Sequence, residues 1–184
     1  MKHGNTTAPG LVQIETADRH LLDGIATAMQ EAARRSGDWL ACRPGCTQCC
    51  MGTFDITALD AMRLQRGFAA LATADPPRAE QVRARVAAYP TTDLDEAPCP
   101  ALDPHSGLCD LYEWRPVTCR VFGPVTRVEE GLAACELCYT GATEEEMAAC
   151  AVDFDPEHHE AAILATLGEE TATTVAEALK PLCS

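Results

Sequence analysis

At 184 residues and a formal net charge of −14, the chain has the length of one domain and an acidity that disfavours phosphate backbones and anionic lipid surfaces. The acidity is uneven: from Glu129 onward 13 acidic residues face a single base, Lys180, which reads as a solvated helical face and makes nucleic acid an unexpected partner. Apolar residues make up 47%, yet 31 of them are Ala and 11 are Cys, so burial per residue is modest and a bound metal would supply what the core lacks.

The expected organisation is a single small domain over 1–184, mainly α, with a short β-hairpin and irregular cysteine-rich metal-binding loops. Residues 42–138 form the cysteine-cluster core of that reading, and 1–41 and 143–184 contribute flanking helices. Residues 11–36 carry Ile14, Ala17, Leu21, Ile25, Ala28, Met29 and Ala32 at helical spacing, ended by Ser36-Gly37. His3 and His20 read as surface or packing residues. Met51 to Ile56 is a short extended piece. Thr57-Ala58-Leu59-Asp60 resembles a capping box for a helix that Asp75-Pro76-Pro77 breaks, and a second helix runs to about Ala88. Cys99 to Tyr112 reads as a hairpin turning at Asp103–Gly107, and Glu113 to Phe122 as one helical turn and a loop. Thr143 to Glu146 opens a helix to about Val152. Asp155-Pro156 caps and starts another through Leu167, with His158-His159 on its solvated face, and Thr171 to Leu179 closes the chain.

Nine of the cysteines are clustered: Cys42, Cys46, Cys49, Cys50, Cys99, Cys109, Cys119, Cys135 and Cys138. Met1 to Gly10 lacks the apolar stretch of a secretory signal, and no run approaches the roughly 20 apolar residues of a membrane span. The expected location is therefore cytoplasmic, where thiols are kept reduced, and the nine read as metal ligands rather than disulfides. Thiolates select zinc or iron–sulfur clusters over hard cations. Cys46-x-x-Cys49 and Cys135-x-x-Cys138 have the two-residue gap that lets two sulfurs reach one metal around a tight turn. Adjacent Cys49 and Cys50 diverge, so they serve different sites, or one ligates while the other packs. Nine candidates are enough for two four-coordinate sites. Isolated Cys150 and Cys183 read as small buried hydrophobes.

Cys42, Cys46-x-x-Cys49-Cys50, Cys99-Pro100-x-Leu102 and Gly107-x-Cys109-x-Leu111-Tyr112-x-x-Arg115-Pro116-x-x-Cys119-Arg120-x-Phe122 together resemble the YkgJ-type cysteine-cluster family, described as a zinc- or iron-chelating domain and often called Fe–S cluster-containing. The resemblance covers about residues 42–138. This chain departs from the pattern in the three-residue gap between Cys42 and Cys46, and Cys135 and Cys138 compete for the one late cysteine. The resemblance implies outer-sphere roles as well. Arg115 and Arg120 would neutralise an anionic centre and donate to sulfur, Pro116 would start the turn presenting Cys119, and Tyr112 and Phe122 would keep water away.

The function expected from these residues is an Fe–S protein, [4Fe–4S] in the simplest ligand count. Its role would be electron transfer, cluster handling or accessory redox work with a protein partner. The alternative is a structural zinc module for protein interaction. No Ser/His/Asp or paired-carboxylate arrangement marks an enzyme.

Overall fold

The computed structural model describes residues 8–128, 131–168 and 172–183. Its helices among these residues are α1 (Ala8–Ser36), α2 (Ala58–Ala74), α3 (Pro76–Ala87), α4 (Val117–Val121), α5 (Glu144–Cys150), α6 (His159–Leu167) and α7 (Val175–Leu179). Two antiparallel hairpins accompany them, β1 (Leu102–Asp103) with β2 (Leu108–Cys109), and β3 (Thr126–Val128) with β4 (Gly131–Ala133). The fold is thus mainly α, with its cysteines in loops, as the sequence leads one to expect; the β3–β4 hairpin is an addition to that expectation. By internal contacts the chain separates into one unit made of Met1–Cys42 and Arg120–Glu169 and another made of Arg43–Cys119 and Glu170–Ser184.

In the first unit α1 buries Ile14, Leu21, Ile25 and Ala32, one stripe at helical spacing, and packs on α5 and α6. The capping box at Thr143 is complete: its hydroxyl accepts from the Glu146 N–H at 3.2 Å, and the Glu146 carboxylate accepts the Thr143 N–H at 2.8 Å. The box satisfies donors that the first turn of α5 cannot pair within the helix. The helix ends at Cys150, short of the expected Val152, because Val152 is drawn into a bridge with Thr126. The next helix also differs from expectation. Asp155 is not its N-cap; α6 begins at His159, after His158 takes a left-handed conformation with φ 55. Asp155 still caps from a distance, accepting the N–H groups of His159 at 2.9 Å and Glu160 at 3.0 Å.

In the second unit α2, α3 and α7 enclose a core of Ile56, Leu64, Phe68, Val82, Val86, Leu111, Val175 and Leu179. Each large side chain buried there contributes about 1.5–3 kcal/mol. Asp75 separates α2 from α3 as N-cap, and Pro76 and Pro77 occupy the first turn, where a missing N–H costs nothing. Ile56 and Thr173 exchange backbone hydrogen bonds at 2.7 and 3.0 Å, tying α7 to the strand-like entry of α2. Trp114 passes so close to α2 that a Cβ at Gly67 would lie 2.2 Å from its Cγ. The expectations for His3 and for a helix start at Thr171 lie outside the described residues.

Candidate metal centre

The thiol-bearing loops of the second unit are held together by their backbones. A 3-10 turn at Gln48–Cys50 is closed by the Cys50 N–H on the Thr47 carbonyl at 2.8 Å. Cys99 N–H donates to the Cys50 carbonyl at 2.7 Å, and Gly52 N–H to Ala97 at 2.9 Å, so the Cys49-Cys50 segment and Cys99 run side by side. Across the small hairpin Cys109 stands opposite Leu102. The Asp103 carboxylate fixes the turn by accepting from the Ser106 hydroxyl at 2.6 Å and the His105 N–H at 3.1 Å. Gly107, at φ +68, rests against Gly45 and Thr47 beside Cys46. Cys119 rides on α4, which follows Pro116 and is anchored by the Val117 N–H on Asp60 Oδ1. Cys99 and Cys109 pack against the apolar core.

Five of these sulfurs form one electrostatic group. Cys49 and Cys50 lie 3.9 Å apart, and their hydrogen bond lowers the Cys49 thiol to about 6 while raising that of Cys50. Burial, reinforced by neighbouring thiols, pushes Cys99 up to about 11 and raises Cys109 and Cys119. Cys119 responds to Cys99, Cys49 and Cys109, and Cys50 to Cys49, Cys99 and Cys109. Apart from Cys49, these thiols resist ionising, and a thiophilic cation is what would offset the mutual repulsion of their thiolates.

Arg115 supplies positive charge that favours the thiolate of Cys49 and partly opposes the burial that raises Cys109. Its guanidinium lies 3.7 Å above the Tyr112 ring and donates to the Tyr112 carbonyl at 2.8 Å, a cation–π contact that aims the charge. Tyr112 is 57% exposed and Phe122 is exposed too, so these rings do not seal the thiols from water as the resemblance implied. Arg120 is half-buried and counts with the first unit.

Two carboxylates that sequence reasoning did not single out as site residues position this group. Buried Asp110, next to Cys109, is clamped by Arg78 and Arg85 of α3, and Arg85 also donates to the Pro100 carbonyl at 2.8 Å. Buried Asp60 pairs with Arg63 while holding α4. Asp60 was visible only as a capping residue; no sequence signal marked either long-range partnership.

The remaining cysteines lie elsewhere. Cys46 sits half-buried in the second unit, in a turn closed by its N–H on the Arg43 carbonyl at 2.9 Å. Cys42 is exposed and Cys135 and Cys138 are buried, all three in the first unit, as is buried Cys150. Cys183 packs on the core of the second unit. His20 and His159 meet edge to face at 5.7 Å and line a groove of about 740 Å³ in the first unit that contains no cysteine.

Among the described residues no three His, Cys, Asp or Glu side chains are drawn tightly round one point for a metal ion. The donor set nevertheless fits the chemistry of a thiophilic centre, because soft sulfur donors are half-buried in loops joined by backbone hydrogen bonds, and the buried carboxylates Asp60 and Asp110 are already paired with arginines. No helix of the described residues is long and apolar enough to cross a membrane. In comparisons with known proteins, a family model named CxxCxxCC, described as a putative zinc- or iron-chelating domain, matches residues 41–140. No curated protein and no solved structure matches the chain.

Proposed function

The chain belongs to the CxxCxxCC family of zinc- or iron-chelating domains, which makes it a metal-binding protein; from that premise we propose that it carries an iron–sulfur cluster, of [4Fe–4S] type, used in electron transfer, cluster handling or accessory redox work. The observation that carries this reading is the juxtaposition of the thiol-bearing loops: the Cys49 and Cys50 sulfurs lie 3.9 Å apart, the Cys99 N–H donates to the Cys50 carbonyl at 2.7 Å, and Cys99 and Cys109 pack on the same apolar core.

Cys49, Cys99, Cys109 and Cys119 are the four ligands of this proposal, and Cys50 is hydrogen-bonded to the neighbouring Cys49 sulfur. The cluster supplies a one-electron couple when bound. The protein's own part is to hold the sulfurs on backbone-linked loops, to stabilise the anionic assembly through Arg115, and to fix the loops through Asp60 and Asp110. Exposed Met51, Leu108 and Tyr112, each within a few residues of a ligand, give a redox partner protein apolar surface to dock on. A cytoplasmic location, with its reducing poise, suits thiols that must stay free of disulfides.

A structural zinc ion is the second reading, favoured by the packing of Cys99 and Cys109 on the apolar core, where a redox-silent ion would staple loop to helix. One experiment separates the two. Anaerobically purified protein is analysed for iron, acid-labile sulfide and zinc and its visible spectrum is recorded. Iron and sulfide with broad visible absorption support the cluster; a colourless protein with zinc alone overturns it in favour of the structural ion.

A further inference from the structure

The groove of about 740 Å³ in the first unit lies between one face of α1 and the segment 151–157. On α1 its lining recurs at His20, Gly24, Thr27, Glu31 and Arg35, three or four residues apart, which makes one face over about 22 Å of helix. Both ends are pinned. At one, the His20 and His159 rings meet edge to face; at the other, Arg35 donates to the Ala151 carbonyl at 3.3 Å. The facing segment is itself anchored, since Val152 bridges to Thr126 and its carbonyl accepts the Arg127 N–H at 2.9 Å. Between the ends the lining is largely apolar, with buried Leu21 and Val152 and half-buried Phe154.

Glycine is, after proline, the least favourable residue inside a helix. Gly24 nevertheless sits well inside α1, exposed, where a Cβ would meet no neighbouring heavy atom within 4 Å, so packing does not require it. Its bare backbone keeps that wall of the groove open. The rim is anionic: Asp23 and Asp153 are exposed, and among the described residues neither has an ion-pair partner. Arg35, the one Lys or Arg of the lining, is already paired with Glu31 at 2.7 Å. We propose that this groove takes an extended basic segment of a partner protein, about six or seven residues long at roughly 3.3 Å per residue. Its Lys or Arg heads meet Asp23 and Asp153, and their aliphatic stems lie on the apolar lining. The length of the groove suits a chain rather than a compact small molecule. Its charge turns away nucleic acid, anionic lipid and a second copy of this chain, which carries −14. The groove contains no cysteine, so the inference stands apart from the metal centre.

The test uses full-length protein and the fluorescence polarisation of a labelled peptide of about eight residues that alternates Leu with Lys or Arg. The parent should bind it more weakly as salt rises, and should ignore a counterpart with Glu in place of the bases. D23N/D153N should weaken binding about tenfold at low salt. G24Y, whose ring would occupy the groove without altering the charge, should abolish it. These positions are exposed, so circular dichroism of both variants should stay native. D95N/E96Q removes the same charge from an exposed stretch of the second unit and should bind as the parent does. The proposal is overturned if D23N/D153N and G24Y bind as the parent does, if D95N/E96Q is as weak as D23N/D153N, or if the parent does not bind the basic peptide. Spermine bound as tightly as the peptide, and lost in G24Y, overturns it in favour of a small polyamine. A parent dimer that G24Y dissociates overturns it in favour of a second copy.

Discussion

Asp60 Oδ1 accepts the backbone N–H of Val117 at 2.9 Å, across 57 residues, and so fastens the start of the helix that carries Cys119 to α2. The same carboxylate pairs with Arg63, which is 1% exposed. One buried side chain therefore neutralises a buried cation, caps α4 and sets where a ligand begins.

Asp60→Ala removes the carboxylate paired with buried Arg63 and should cost about 3–5 kcal/mol. Asp60→Ala/Arg63→Met, which removes both charges, should recover much of that loss while leaving Val117 N–H without its acceptor. Urea denaturation followed by circular dichroism reads the stability, and zinc titration reads the site. A double variant no more stable than Asp60→Ala contradicts the buried-charge account.

Gly67→Ala should destabilise, although in an open helix the same change gains about 1 kcal/mol. The added Cβ would fall 2.2 Å from Trp114 Cγ, a clash with the root of a large ring rather than a flexible tip. Overpacking of this kind costs about 1–3 kcal/mol. Combining it with Trp114→Ala should relieve the clash, so a double-mutant cycle with no coupling between the two positions sinks the explanation.

Metal–thiolate bonds should matter more to the 42–138 region than any one core residue. Cys49→Ser or Cys119→Ser replaces a thiolate with a hydroxyl that ionises poorly, and should empty the centre. Leu64→Ala, at a position 1% exposed, should cost about 2–5 kcal/mol and keep the metal. Metal content and protease resistance are compared across the three variants. Retention of full metal and full protection by both serine variants would falsify the assignment of these cysteines as ligands.

His158→Ala/His159→Ala should leave metal content unchanged. The His159 ring faces Asp155 at 3.2 Å, Glu157 at 3.5 Å and the His20 ring, in a groove without cysteines. Loss of a metal equivalent would promote the pair to ligands.

Asp155 makes the start of α6 sensitive to acid. Burial raises its pKa, but the N–H groups of Glu160 and His159 and the His159 ring outweigh that, and the carboxyl lies below its ordinary value. A group with a lowered folded pKa contributes fully above its unfolded value of about 3.9 and loses that contribution as pH falls through the folded one. The protection of the His159 and Glu160 amides against exchange, relative to their intrinsic rates, should therefore fall below about pH 4. Asp155→Asn should exchange faster at neutral pH and lose most of this dependence; an unchanged profile in the variant would contradict the role.

The sequence by itself determined what is local. Thr57 and Thr143 cap their helices, Asp75-Pro76-Pro77 parts α2 from α3, and Asp103 to Gly107 turns a hairpin, because each depends on side chains within four residues of the backbone they satisfy. The cysteine spacing likewise revealed thiolate chemistry and the family. Only the tertiary structure divided those thiols, putting Cys42, Cys135 and Cys138 in one unit and Cys46, Cys49, Cys50, Cys99, Cys109 and Cys119 in the other, although Cys42 and Cys46 lie in one run. The start of α6 moved for a related reason: Asp155 reaches His159 and Glu160 only after His158 turns left-handed, a conformation uncommon for any residue but glycine. Asp60 with Val117, Asp110 with Arg78 and Arg85, and Gly67 with Trp114 were equally illegible. Each is a contact between residues at least 25 positions apart, and no periodicity or propensity records which distant side chain will arrive to share a buried charge or fill a missing Cβ.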